Sequence, residues 1–255
     1  MLLLLKLCKE AYMRILIIRH GDPNYKIDSL TERGFKEAEL LSQRLVKLKP
    51  TEIYCSELGR AQRTAEPTIE KTGLKPILCN WLIEYPLSAN TTDEERENGH
   101  TWLTPWEVKH DEWISDPRYC NFNTWLDTVR FNGGKFAERQ KYIGEEFDKV
   151  MASKGLIRDG YIYRITDEYQ KHKDEVLLFF CHFGLSLALT AHILPLSLPL
   201  LWNGFNIDPT GITEFMPDKG GKDFVILRCM RLNDTSHLAN FDELPEPRAP
   251  REYWF

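Results

Sequence analysis

No two of the six cysteines, at positions 8, 55, 79, 120, 181 and 229, stand in a C-x-x-C spacing, which removes the commonest zinc and dithiol signatures. Two of them close apolar runs, where a thiol serves as a small buried hydrophobe. Reduced thiols and a cytoplasmic setting are therefore expected. Long hydrophobic runs are missing too. The opening Met1-Leu2-Leu3-Leu4-Leu5 has no basic residue before it and meets Lys6 at once, so it is too short to span a bilayer and unlike a signal peptide, and no membrane partner is expected. Positive charge is in deficit: 33 Lys and Arg face 38 Asp and Glu, a formal net charge of -5. A nucleic-acid partner is not expected, and any anion site has to be local. Internal repeats and low-complexity tracts are absent.

What is there suffices for a sizeable core, with 255 residues at 42% hydrophobic. Residues 1–12 read as an N-terminal extension, with Met13 a natural alternative start, and 13–255 as a single domain. Arg14 to Ile18 is a β-branched run stopped by Gly21 and Pro23. Behind a Thr31 N-cap, Phe35, Ala38, Leu41, Leu45 and Leu48 recur at helical spacing. Glu52 to Cys55 is a second strand, Ser56 is placed to cap a helix running to about Lys71, and a brief strand is expected near Ile77 and Leu78. Val176 to Cys181 is wholly apolar, as a strand buried on both faces should be, and breaks at His182-Phe183-Gly184 into an apolar helix ending near Pro195. Gly211 to Met216 and Phe224 to Met230 complete the strands. The alternation predicts a three-layer α/β/α fold, a mainly parallel central sheet with helices on both faces. About 91–174 breaks the rhythm with interleaved aromatic and charged residues and predicts a largely helical cap insertion. The proline-rich tail after Asp242 is expected to lie along the surface.

In an open parallel sheet, ligands bind beyond the carboxyl ends of the strands. Three such ends carry polar clusters: Arg19-His20, Ser56 with Arg60 and Arg63, and His182. Arg60 and Arg63 lie near the start of a helix, where the macrodipole disfavours cations, so helix stability does not explain them. An anionic ligand explains Arg60, since a helix N-terminus and a two-pronged guanidinium both suit phosphate; Arg63 reads as an ordinary surface ion pair. Neighbouring arginines would keep His20 unprotonated, hence nucleophilic toward phosphorus, while Arg19, Arg60 and His182 hold the phosphoryl oxygens. A departing alcohol needs an acid. Glu84, set among apolar side chains in Trp81-Leu82-Ile83-Glu84-Tyr85, is the candidate, because burial would keep it protonated; Asp22 is its rival.

Arg19-His20-Gly21 after an apolar strand, then Leu30-Thr31 with Gly34, then Ser56-Glu57-Leu58-Gly59-Arg60-Ala61-Gln62-Arg63-Thr64-Ala65, then Glu84, then Cys181-His182-Phe183-Gly184 together resemble the histidine phosphatase superfamily, also called the phosphoglycerate mutase-like family. The resemblance covers about 13–90 and 174–217. It implies His20 as phosphoryl acceptor, Arg19, Arg60 and His182 as phosphoryl-binding residues, Glu84 as proton donor, and no metal or other cofactor. Asp22-Pro23-Asn24-Tyr25 departs from the usual pattern after the first histidine, and Phe183 intervenes before the usual glycine; it either lines the pocket or offers a backbone N–H to phosphate.

The expected function is therefore phosphohydrolase action on a small phosphorylated metabolite through a phosphohistidine. Alternatives are phosphoglycerate mutase-type phosphoryl transfer, a non-catalytic phosphate-binding protein, and metal-dependent hydrolysis using His20, Asp22 and His182. The insertion from Trp102 to Phe147 would cover the pocket and set substrate choice, with most of its aromatics forming its own core. His192 reads as structural, His172 as solvated and His237 as buried or capping. Substrate and oligomeric state are not legible.

Overall fold

The computed structural model describes residues 12–239; the readings made for the N-terminal extension up to residue 11 and for the tail after Asp242 lie outside them. In chain order the elements are β1 (Arg14–Arg19), β2 (Pro23–Asn24), β3 (Ser29–Leu30), α1 (Glu32–Leu45), β4 (Glu52–Ser56), α2 (Gly59–Thr72), β5 (Pro76–Cys79), α3 (Asp93–Glu97), α4 (His110–Ser115) and α5 (Lys135–Ser153). They continue with β6 (Leu156–Asp159), β7 (Ile162–Ile165), α6 (Tyr169–His172), β8 (Val176–Cys181), α7 (Phe183–Ile193), α8 (Leu198–Gly204), β9 (Ile212–Lys219) and β10 (Phe224–Asp234). Eight strands form one sheet in the order β5-β4-β8-β1-β9-β10-β7-β6. The first four are mutually parallel and carry the polar strand ends; from β9 onward the pairings are antiparallel.

Strand alternation divides the core in two. Leu16 and Ile18 of β1, Ile53 and Cys55 of β4, and Leu178 and Phe180 of β8 pack with Leu41 and Leu45 of α1 and Ala61 and Ala65 of α2. Ile15 and Ile17, Tyr54, and Leu177 and Phe179 face the other way, against Ile143 and Phe147 of α5 and Leu185 and Leu189 of α7. Because β8 is covered on both faces, its six residues are all buried, which is why its sequence reads as a continuous apolar run.

Local chemistry sets the element ends. Thr31 caps α1, its hydroxyl accepting from the Gly34 N–H at 3.1 Å, as expected. Phe35, counted on the buried stripe of α1, is 45% exposed; the stripe runs instead through Gly34, Glu37, Ala38, Leu41 and Leu45. Ser56 does not cap α2. That helix begins three residues later, and the carboxylate of Asp28, a distant loop residue, accepts from the Gly59 N–H at 2.6 Å. Close approach to this loop requires glycine at 59, where a Cβ would stand 2.2 Å from the Asp28 carbonyl oxygen.

The stretch of about 91–174, expected to be a largely helical cap insertion, contains besides its helices the antiparallel hairpin β6–β7, which extends the sheet edge. Its helical part is organised around Arg130, 2% exposed, whose guanidinium bridges Glu95 of α3 and Glu112 of α4. Tyr119, Trp125, Phe131, Phe136 and Phe147 are buried, but they are continuous with the core on one face of the sheet rather than forming a separate one, and Trp202 of α8 joins them. Among the described residues, no helix is long and apolar enough to cross a membrane.

Candidate active site

Parallel pairing of β1 with β8 places Arg19 beside Cys181. The next residue on each strand is a histidine, so His20 and His182, far apart in sequence, meet with ring centroids 5.1 Å apart. β4 flanks β8 on its other side and brings Ser56 to the same sheet edge. Both histidines are almost fully buried.

The Nδ1 of His20 lies 2.8 Å from its neighbour's carbonyl, Gly21 O. A carbonyl only accepts, so Nδ1 carries the proton and donates it, and Nε2 keeps its lone pair. Burial, then the positive charge of Arg19, with Arg60 contributing further, lower the pKa of His20 to about 3. The ring is thus neutral across the physiological range. The loop behind it is pinned: the Gly21 N–H donates to Thr64 Oγ1 at 2.9 Å, and Thr64 in turn donates to the Arg60 carbonyl at 2.8 Å.

His182 Nε2 lies 2.8 Å from Ser56 Oγ. Ser56 Oγ also accepts from the Leu58 N–H at 3.2 Å; when its own proton is donated to Nε2, the imidazole carries its proton on Nδ1. Burial, reinforced by His20 and the two arginines, holds the His182 pKa well below its ordinary value. Among the described residues, its Nδ1 is buried without a hydrogen-bond partner, and so is the Nε of Arg60. Buried polar atoms left without a partner are costly; an anionic ligand would satisfy the Arg60 Nε–H, and the imidazole too when its proton is on Nδ1. Ser56→Ala is expected to free the His182 ring and lower kcat/KM about tenfold, the worth of one buried hydrogen bond; steady-state kinetics with the fold checked by circular dichroism reads this.

Arg60 reaches the site from the first turn of α2. Its Nη1 donates to Asp28 Oδ1 at 2.6 Å, and its guanidinium carbon lies 5.5 Å from the ring centroid of Tyr25. Arg19 donates to the Ile207 carbonyl and lies 5.4 Å from the ring centroid of Phe183. The Phe183 ring thus packs against Arg19. Arg63 is apart from these groups, exposed and paired with Glu66 at 3.0 Å, as expected for a surface ion pair.

Glu84 stands at the start of α7. Its Oε1 accepts from the N–H of Tyr85 at 2.9 Å and of Leu185 at 3.1 Å, and its Oε2 from that of Gly184 at 3.3 Å. Such donors, with Arg19, favour the carboxylate, yet burial prevails and the pKa is raised. A carboxyl group poised in this way can give a proton to a departing oxygen and take one back from water. Asp22, the rival, accepts instead from the Thr31 hydroxyl at 2.7 Å at the start of α1.

Of the remaining histidines, His237 bonds to Thr210 Oγ1 at 2.9 Å, burial lowering its pKa to about 4, and His192 bonds to Asp148 at 3.0 Å. His172, expected in solvent, is half-buried between Glu168 and Glu175. Sequence reasoning missed the site roles of Asp28 and Thr64 and gave Ser56 a capping role; Asp28, three residues before Thr31 in Asp28-Ser29-Leu30-Thr31, had no signal beyond that proximity. No group of three or more His, Cys, Asp or Glu side chains able to hold a metal ion occurs among the described residues.

Residues 15–229 match the family model for the histidine phosphatase superfamily, branch 1. A probable phosphatase of Schizosaccharomyces pombe is 36% identical over 80 residues, covering 28% of this chain and 38% of that protein. A probable phosphoglycerate mutase of Cronobacter sakazakii is 31% identical over 100 residues, covering 33% of this chain and 46% of that protein. The chain thus spans less than half the length of these two relatives. Among solved structures, a phosphoserine phosphatase mutant of Entamoeba histolytica in complex with phosphoserine superposes with a TM-score of 0.57 at 19% identity, over 89% of this chain and 99% of that one; the likeness is one of fold.

Proposed function

We propose, since the chain belongs to the histidine phosphatase superfamily, that it hydrolyses a small phosphorylated metabolite through a phosphohistidine on His20. The observation that carries this reading is the fixed tautomer of His20: Nδ1–H is held on the Gly21 carbonyl and Nε2 is left neutral beside two arginines. The Nε2 lone pair attacks phosphorus in line, Arg19, Arg60 and the Nδ1–H of His182 take the charge on the equatorial oxygens, and the P–O bond to the alcohol breaks as Glu84 gives that oxygen its proton. Water then attacks the phosphohistidine, losing a proton to the Glu84 carboxylate; the P–N bond breaks and His20 is regenerated neutral. No step uses a metal or other cofactor. The catalytic residues of this reading are His20, Glu84 and His182, with Arg19, Arg60 and His182 binding phosphate.

In the same reading, residues 13–255 form a single domain, capped by the insertion of about 91–174, in a cytoplasmic enzyme that keeps its cysteines reduced. Mutase-type transfer is the second reading, favoured by the Cronobacter relative. The two differ in where the phosphoryl group goes. Incubating the full chain with sugar phosphates, nucleotides, phospho-acids and phosphopeptides, without an acceptor, is expected to release inorganic phosphate continuously from at least one; phosphate that appears only in another ester would establish transfer instead, and binding without turnover would establish a phosphate-binding protein.

A further inference from the structure

Resting on the phosphatase reading of the same pocket, we propose that Trp106 of the insertion forms one wall of a leaving-group subsite beside Glu84, fitted to phosphomonoesters whose alcohol presents a flat aryl or heteroaryl face. The first observation is a close packing at the start of α7. A Cβ on Gly184 would lie 2.3 Å from Trp106 Cζ3 and 2.9 Å from Glu84 Oε1, so the indole and the carboxyl group share one glycine and neither leaves room for a side chain. The indole cannot easily give way. It is clamped edge-to-face by Phe183 at 5.3 Å and Trp202 at 6.0 Å between centroids, and Trp202 Nε1 donates to the Gly184 carbonyl at 3.0 Å.

Trp106 nevertheless keeps part of its surface open, and it sits beside the group that would protonate the leaving oxygen. The alcohol of a bound ester would therefore depart alongside the indole, whose Cζ3 and Cη2 lie nearest Gly184. Tyr25, 68% exposed, lies over the Arg60 guanidinium at another edge of the same phosphate pocket, which adds a second ring to its rim. Arg139, within electrostatic reach of Glu84, spends Nη2 on the Trp81 and Ile83 carbonyls at 3.3 Å each and has its Nε buried. A flat apolar group against an indole gains stacking energy beyond its buried area, whereas a short polar alcohol gains little.

The test compares 1-naphthyl phosphate with glycerol 3-phosphate on the wild type, Trp106→Phe and Trp106→Ala. Wild type should prefer the naphthyl ester in kcat/KM. Trp106→Ala should raise its KM about tenfold or more while changing that for glycerol 3-phosphate by less than about threefold, with Trp106→Phe between. Equal losses on both esters, or a wild-type preference for glycerol 3-phosphate, would overturn the subsite. A binding arm separates this from failure of the hydrolytic reading: by calorimetry, His20→Ala should bind 1-naphthyl phosphate at least about tenfold more tightly than His20→Ala/Trp106→Ala. Equal affinities overturn the subsite even if the ester is hydrolysed, and unequal ones support it even if the chain transfers the phosphoryl group.

Discussion

His20→Ala is expected to abolish turnover, lowering kcat by about 10⁴-fold or more, because it removes the only atom through which the proposed covalent route passes. Binding should persist. Arg19, Arg60 and His182 are untouched by the substitution, so inorganic phosphate or vanadate should still bind, and calorimetry alongside steady-state assays separates loss of chemistry from loss of the pocket. Stability should fall only modestly, by about 1 kcal/mol for the hydrogen bond from Nδ1 to Gly21 plus a small packing loss, which thermal denaturation reads. A His20→Ala protein that remains folded and keeps more than about a tenth of wild-type kcat would refute the nucleophile.

Glu84→Gln has the second large effect, and its size depends on the leaving group. With an alkyl ester the departing alkoxide needs a proton, and removing the donor should cost about 10²- to 10⁴-fold in kcat. With p-nitrophenyl phosphate the leaving oxygen is stable as an anion, so the loss in its formation step should be no more than about tenfold. The pH dependence follows from the sign of the shifts. Glu84 acts while protonated and its pKa is raised by burial, so activity on alkyl esters is present below that pKa and lost as pH rises through it. His20 acts while neutral and its pKa is lowered to about 3, so it sets no acid limb in the range where the enzyme is assayed. Glu84→Gln should abolish the alkaline limb and leave in place whatever comes from ionisation of the substrate phosphate near pH 6. Pre-steady-state profiles of both esters over the same pH range check this.

The residues of this account differ in how legible they were. His20 and His182 could be placed together because each directly follows a strand that the sequence marks plainly, and parallel register does the rest. Arg60 stood out because a cation in the first turn of a helix opposes the dipole; the structure pairs it with Asp28, a residue 32 positions away, and no local pattern marks that contact. Ser56 was visible but misread. A serine after a strand and before a helix suits a cap, yet its hydroxyl bonds to His182, a partner set by the β4-β8 pairing. Trp106 was indistinguishable from the other aromatics of the insertion, since only packing onto Gly184 separates it from a core residue. The β6–β7 hairpin did carry a signal in Asp159-Gly160 between short β-branched segments, outweighed by the charged and aromatic character of the stretch around it. Phe35 fits the α1 stripe in spacing, but whether a residue at its margin is covered depends on what packs there.

The covalent intermediate is the centre of the account, and rapid quench with a ³²P-labelled ester addresses it directly. Within the first turnover, label should appear on the protein in an acid-labile, base-stable bond, map by mass spectrometry to Nε2 of His20, and be absent from His20→Ala. Label that is acid-stable, that maps to another residue, or that persists in His20→Ala would contradict the phosphohistidine mechanism.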